Sequence, residues 1–375
     1  MATDAGKRLV VKVGTSSLTD AGGKIDEAYI ANLARQICAA RAAGWQVILV
    51  TSGSIASGLE ALGIDERPTD LPSLQAAASV GQITLSRAYS EAFEAQGVVV
   101  SSVLLTRDDT ANRTRYLHAR DTLLRLLELG VVPIVNENDT VSAEQIRFGD
   151  NDTLSALVAC LVKASEVVIL SDIDGLYDKN PSTHADAQLL HEVNAITPDI
   201  VRMAEGPGTK NASGGMITKI RAARVLLAAG IPLSICHGHA EDILVRYLAG
   251  ERVGTRFAND KPLHEITPRK LWIALGDSSH GTLMVDAGAK QALERSGRSL
   301  LAVGITAVDG SFESGDIVDI VDTGGYLFAR GRVSCASDEA KLACGRSQAE
   351  LKANRLLAGL ADKPVVHRDE LVIFD

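Results

Sequence analysis

Lys12 interrupts an otherwise apolar run, Leu9 to Val13, and is followed at once by Gly14-Thr15-Ser16-Ser17. A Gly/Ser loop lets backbone N–H groups come close to a phosphate, and a neighbouring lysine supplies the opposing charge. A second constellation, Ser213-Gly214-Gly215-Met216-Ile217-Thr218-Lys219, opens a helical pattern that runs toward Ala229. Paired glycines before a helix suit an anion, because the free N–H groups and the helix dipole point at it. Lys219 stands one turn in. Neither stretch is a standard phosphate fingerprint: no G-x-x-x-x-G-K-[ST] occurs, and Gly206-Pro207-Gly208 does not directly follow a strand. The chemistry on offer is phosphate handling. A strand lysine reaching solvent and a glycine-capped loop would account for the same residues without it.

Three further polar groups stand at the ends of such runs or at the start of a helical pattern. Asn136-Glu137-Asn138-Asp139 ends one strand-like run, and Gly149-Asp150-Asn151-Asp152 precedes a helical pattern. Clustered Asp and Asn can bind a substrate ammonium or orient lysines, and they serve equally as turn and N-cap residues. Thr51-Ser52-Gly53-Ser54 resembles a nucleophile elbow only superficially, because G-x-S-x-G is not satisfied. It reads as a hydroxyl binding group instead. The eight histidines form no pair at metal or triad spacing. The five cysteines form no C-x-x-C and no zinc spacing, so they read as thiols in a reducing compartment.

The elements that must position these groups alternate. Strand-like runs are Leu9–Val13, Val47–Thr51, Val98–Leu105, Val131–Val135, Val167–Ser171 and Ile231–Cys236, with helical patterns near 26–43, 71–96, 116–129, 151–163 and 214–229. Such β-α alternation predicts an α/β fold: a mostly parallel open sheet sandwiched by helices. Right-handed crossovers then bring the strand C-termini, with their Gly, Ser, Asn and Asp loops, to one edge where ligands bind. The texture changes near 255–270, which reads as a linker. Beyond it, strand-like runs recur at Leu271–Leu275, Gly281–Val285, Leu300–Val303, Ile317–Val321 and Tyr326–Val333, then at Val365–Val366 and Leu371–Phe374, with one or two helices expected.

Bulk properties exclude several classes. The 375 residues exceed one typical domain, and the 46% hydrophobic content supports a real core. Net charge is -9, made of -5 over residues 1–270 and -4 over residues 271–375, which argues against a large nucleic-acid footprint. No apolar run reaches the roughly 18 residues of a membrane span. The chain is read as soluble and cytoplasmic.

Taken in order, the segments VVKVGTSSL, VTSGSIASG, LLTRDD, HARDTLL, VPIVNENDTV, FGDNDTLSALVA, LSDIDGLYDKNP and SGGMITKIRAA resemble the amino acid kinase family, over nearly all of residues 8–255. The stretch from Gly281 to Cys344, including Val285-Asp286-Ala287-Gly288-Ala289, is similar to a PUA domain. The resemblance implies an amino acid kinase catalytic domain over 1–258, a linker over 259–270, and a small β-rich PUA-type barrel over 271–375. That barrel has its core at about 277–357 and a C-terminal extension.

Within the family, NEND together with GDNDTLSA points to the branch that phosphorylates glutamate. The implied reaction moves the γ-phosphoryl of ATP, with Mg²⁺, to the side-chain carboxylate of L-glutamate, the first step of proline biosynthesis from glutamate. Lys12 and Lys219 then contact the transferring phosphate, and Asp152 helps hold them. Ser52, Asp139, Asp150 and Asn151 bind glutamate. Lys12, Ser171, Asp172, Ser213, Gly214, Gly215, Met216, Ile217, Thr218 and Lys219 contact the nucleotide, and no residue is assigned to a protein-held metal. Ser171 and Ser213 stand where the family often has Thr, and both keep a hydroxyl. Residues 205–212 match poorly and receive no role. The resemblance also implies feedback inhibition by proline and a homo-oligomer, dimer or tetramer. Three rivals remain: another carboxylate kinase of this family, acting on acetylglutamate or aspartate; an RNA-binding PUA-containing module, against which the -4 charge of residues 271–375 weighs; and a pseudoenzyme that senses proline or glutamate, against which the filled catalytic positions weigh.

Overall fold

The central strand explains the sheet around it. In β1 (Arg8–Val13), Leu9, Val11 and Val13 are fully buried and join one core cluster, leaving Val10 and Lys12 to the opposite face. A strand apolar on both faces belongs inside a parallel sheet covered by helices. That is where β1 lies in this computed structural model, which describes residues 7–20, 24–106, 109, 112–142, 151–205, 215–263, 267–275 and 279–374. The chain divides into two compact units, Met1–Glu265 and Ile266–Asp375.

In the first unit β1 pairs in parallel with β2 (Gln46–Val50) and β5 (Glu166–Ser171). The register sets Lys12 opposite Val50 on one side and Ile169 on the other. With β3 (Val100–Leu105), β4 (Val132–Glu137), β6 (Glu192–Val193), β7 (Leu233–His237) and β8 (Thr255–Phe257), the eight-stranded order is β3-β4-β2-β1-β5-β7-β8-β6. Only the β7–β8 pairing is antiparallel. The sequence-based expectation of a mostly parallel sheet with helices therefore holds. The two short strands β6 and β8 carry too few residues to show a period and were not legible. Growth of the sheet reverses direction between β4 and β5, across β1. In open α/β sheets ligands bind outside the carboxyl ends of the strands at such a reversal, here β1, β2, β4 and β5.

The helices of this unit begin with α1 (Thr15–Leu18), α2 (Glu27–Ala42), α3 (Ser54–Leu62), α4 (Leu71–Glu94) and α5 (Arg113–Glu128). They continue with α6 (Asp152–Val162), α7 (Pro198–Glu205), α8 (Met216–Ala228) and α9 (Ile243–Leu248). Helix α2 starts where Asp26 accepts a 2.9 Å bond from the Tyr29 N–H, and it packs Tyr29, Ile30, Leu33 and Ile37 onto β1 and β2. Helix α3 lies where the sequence suggested a binding loop. Gly53 takes φ +96°, a left-handed turn that admits the chain into the helix at Ser54. Helices α3 and α4 cross at backbone contact. A Cβ on Gly58 would overlap the Ala77 carbonyl, and one on Gly81 would overlap the Ser54 carbonyl.

The second unit holds a five-stranded mixed sheet of β9 (Gly281–Val285), β10 (Ile305–Gly310), β11 (Ile317–Val321), β12 (Leu327–Val333) and β13 (Val366–Ile373), in the order β10-β9-β11-β12-β13. Leu283, Val285, Val318, Ile320 and Phe328 are fully buried in its core. Two readings are corrected here. Leu271–Leu275 is not a strand but part of α10 (Pro268–Leu275). An unbroken apolar run carries no period, and the proline opening it is a helix-start signal. Leu300–Val303 contributes only a bridge from Leu300 to Val366 and part of a short 3-10 turn. Helices are also more numerous than expected, with α11 (Ala287–Ser296), α12 (Ser337–Ala343), α13 (Gln348–Ala353) and α14 (Ala358–Ala361).

Candidate active site

Lys12 lies on the face of β1 against which α6 packs. Every residue of α6 is buried, so its first residue, Asp152, enters the protein with the helix. Helix α8 packs beside α6 and starts at Gly215, whose φ of +99° with ψ of -154° is open only to glycine. This entry sets Thr218 and Lys219 in the first turn, facing Asp152. The outcome is one carboxylate between two ammonium groups. Asp152 Oδ1 is 2.7 Å from Lys12 Nζ, and Oδ2 is 3.1 Å from Lys219 Nζ. The Thr218 hydroxyl adds a 2.8 Å contact to Oδ2.

The three charged groups are nearly sealed, at 1% exposure for Asp152 and 6% for each lysine. Burial pushes the Asp152 carboxyl up. The attraction of Lys12 and then Lys219, with their hydrogen bonds and that of Thr218, outweighs it and holds the group well below the usual carboxylate range. An ionised Asp152 with two lysines sums to a charge of +1 at the crevice, which suits an anion. Gly14 follows Lys12 closely: a Cβ there would stand 3.7 Å from Lys12 Nζ.

A second cluster lies beside it at the ends of β2 and β4. Asn151, the residue before α6, donates from Nδ2 to the Thr51 carbonyl and, at 2.8 Å, to Asn136 Oδ1. Asn136 Oδ1 also accepts from the Glu137 N–H at 2.9 Å, and Asn136 Nδ2 donates to Gln82 Oε1 at 2.8 Å. The Thr51 hydroxyl meets the Tyr89 hydroxyl at 2.8 Å. Asp139, half-buried after β4, accepts a 2.7 Å bond from the Ser54 hydroxyl. Burial raises its pKa, opposed by that bond and by the Arg67 cation.

The residues expected from sequence are not all brought together. Lys12, Thr218 and Lys219 each touch Asp152 directly. Asn151 and Asp139 stand in polar clusters at neighbouring strand ends, with Ser52 buried in the turn between β2 and α3. Ser171 and Asp172 close β5 on the same edge, bonded to each other at 3.0 Å, and the Ser171 carbonyl accepts from the Gly238 N–H at 2.7 Å. Gly215, Met216 and Ile217 open α8. Asp150, Ser213 and Gly214 lie outside the described residues. Sequence reasoning gave no role to Gln82 or Tyr89, and it placed Ser54 and Asn136 only within the Thr51-Ser52-Gly53-Ser54 and Asn136-Glu137-Asn138-Asp139 groups, without naming them as site residues. For Asn136 a signal existed, since it is an amide inside the fully buried strand β4. For Gln82 and Tyr89 the partners come from other elements, and no local signal was available.

A family model described as the amino acid kinase family matches residues 7–237, and a PUA domain model matches residues 281–354. The chain belongs to the amino acid kinase family. Among curated relatives it is 45% identical to a protein named glutamate 5-kinase from Syntrophotalea carbinolica, over 98% of this chain and 97% of that one. It is 45% identical to a glutamate 5-kinase from Moorella thermoacetica, over 100% and 98% of the two chains. It is 44% identical to one from a Geobacter species, over 98% and 97%. As a member of the amino acid kinase family with a PUA domain, the chain carries its buried lysine-carboxylate-lysine cluster inside the family match. No helix among the described residues is long and apolar enough to cross a membrane.

Proposed function

We propose that this chain transfers the γ-phosphoryl group of ATP to the side-chain carboxylate of L-glutamate, giving the acyl phosphate L-glutamate 5-phosphate, the first step of proline biosynthesis from glutamate. Two buried lysines on one ionised aspartate, at the carboxyl edge of a parallel sheet, carry the reading. The names of the relatives supply the acceptor.

A free glutamate side chain has a pKa of about 4.3 and is ionised at neutral pH, so the reaction needs no general base. One carboxylate oxygen forms the new bond to the γ-phosphorus while the bond from that phosphorus to the β-γ bridging oxygen breaks, and ADP leaves with the electron pair. The difficulty is bringing an anion onto an anion. Lys12 and Lys219 meet it by standing fixed where charge develops, and Asp152 holds both in place beforehand. Asp139 and Asn151 hold glutamate, with Ser52 and Asp150. Ser171, Asp172 and the residues from Ser213 to Lys219 hold the nucleotide. Mg²⁺ is taken to ride on the nucleotide phosphates. Both Asp152 oxygens are engaged by lysines, and among the described residues no group of three or more His, Cys, Asp or Glu is arranged to hold an ion. Bound there, it would neutralise phosphate charge. Catalysis is assigned to residues 1–258. The five free cysteines accord with a cytoplasmic setting.

A hydroxamate assay tests the reaction: ATP, glutamate and hydroxylamine together should give glutamyl hydroxamate, and omission of any one should abolish it. Product from acetylglutamate or aspartate instead would reassign the acceptor. The same assay with added proline tests feedback inhibition, and size-exclusion chromatography tests for a dimer or tetramer. Asp139→Ala should act through substrate affinity, raising the glutamate KM by roughly tenfold or more, the worth of a hydrogen bond to a charged group, with kcat changed only a few-fold. An unchanged glutamate KM would remove Asp139 from the substrate site.

A further inference from the structure

We infer that Gln82 is a positioning residue that fixes the Asn151 side-chain amide with its oxygen toward the substrate, so that this position recognises the α-ammonium of the amino acid. The inference rests on the functional reading above and adds to it a residue and the group of the substrate that is read.

The orientation of each amide follows from backbone groups whose polarity is not in question. The Thr51 carbonyl can only accept, so the end of the Asn151 amide that faces it is the NH₂. The same NH₂ donates to Asn136 Oδ1. Both protons of Asn151 Nδ2 are then used, and among the described residues nothing donates to its Oδ1. The Glu137 N–H can only donate, so the end of Asn136 that faces it is the oxygen. Asn136 must then present its NH₂ to Gln82, whose Oε1 accepts it at 2.8 Å. Gln82 Nε2 is turned the other way, 3.1 Å from the Ser86 hydroxyl one turn on in α4. From Asn151 through Asn136 and Gln82 to Ser86 every bond is donated in one direction, and Asn151 donates its other proton to the Thr51 carbonyl, so what Asn151 has left over is an acceptor.

An acceptor discriminates. It can take a hydrogen bond from an ammonium and has nothing to offer a carboxylate. Asp139, whose partner Ser54 donates to it, adds a second acceptor in the same region. Two acceptors, one of them ionisable, fit a cationic N–H donor. Glutamate brings one such group, the α-ammonium, and keeps its side-chain carboxylate for the lysines.

The test compares glutamate with glutarate, which has both carboxylates and no ammonium. Gln82→Leu removes the oxygen that Asn136 needs, whereas Gln82→Glu retains an acceptor at the same place. The expected result for Gln82→Leu is a fall of about tenfold or more in kcat/KM for glutamate, the worth of one hydrogen bond to a charged group. Its preference for glutamate over glutarate, read from kcat/KM or from glutarate's inhibition constant against glutamate, should fall by a similar factor. Gln82→Glu should keep the preference within about threefold of the parent. Equal losses for both compounds in Gln82→Leu would show a merely structural role and overturn the inference, as would an unchanged preference. Should Gln82→Leu fail to fold, a Gln82→Glu variant that loses the preference overturns it equally. A parent chain that makes no product from glutamate overturns the functional reading itself. A parent active on glutamate with an unshifted variant overturns only the role of Gln82.

Discussion

Lys219→Ala lowers kcat by about a hundredfold or more, as removal of a fixed transition-state donor does elsewhere, while the glutamate KM moves only a few-fold. The reason is the timing of the charge. In the ground state Lys219 is satisfied by Asp152 at 3.1 Å, so its loss costs the bound substrate little. As the bond to the β-γ bridging oxygen lengthens, negative charge grows on the oxygens being transferred, and a fixed ammonium in a dry site is worth far more there than in water. Steady-state kinetics with glutamate and ATP varied separately checks this. A variant with intact kcat and weakened glutamate binding would place Lys219 in substrate recognition instead.

Asp152→Asn should damage both stability and turnover. The substitution leaves two buried ammonium groups, each at 6% exposure, with no anion between them. Breaking a buried pair by removing one partner costs about 3–5 kcal/mol. For a unit of this size that corresponds to a fall of roughly 6–15 °C in the melting temperature. The pH dependence has a definite sign. The folded pKa of Asp152 lies below its unfolded value of about 3.9, so its stabilisation is fully present above that value and is lost as pH falls through the folded pKa. The gap in stability between the parent and Asp152→Asn should thus be widest near neutral pH and shrink below about pH 4. Urea midpoints measured from pH 7 down to about 3 report it. A gap that stays constant with pH would mean that the ionised pair is not what the substitution removes.

The division between what the sequence shows and what it hides follows the range of the interactions. Lys12 was visible because a charge inside an apolar strand is locally conspicuous, and the Gly214-Gly215 pair because it stands directly before a helical pattern with a lysine one turn in. The parallel core of the sheet was legible because β1, β2, β4, β5 and β7 each carry a mostly apolar run. The meeting of Lys12, Asp152 and Lys219 was expected only through the family resemblance and not from the residues themselves, since three distant segments form it and packing of α6 between β1 and α8 brings them together. The amide chain through Gln82 was hidden for the same reason: a glutamine in a helix has no local mark of its partner. In the second unit the run Leu271–Leu275 misled because an apolar stretch without alternation fits helix and strand alike.

The crossing of α3 over α4 bears on any attempt to make this protein more robust. By intrinsic preference, alanine in place of a mid-helix glycine favours the helix by about 0.5–1 kcal/mol, and Gly81 in the middle of α4 looks like an obvious place to gain it. The Ser54 carbonyl occupies the space that the methyl group would need. Ser54 in turn holds Asp139. At position 81, therefore, preference and packing have opposite signs, and a residue without a side chain constrains the placement of Ser54 and, through it, of Asp139.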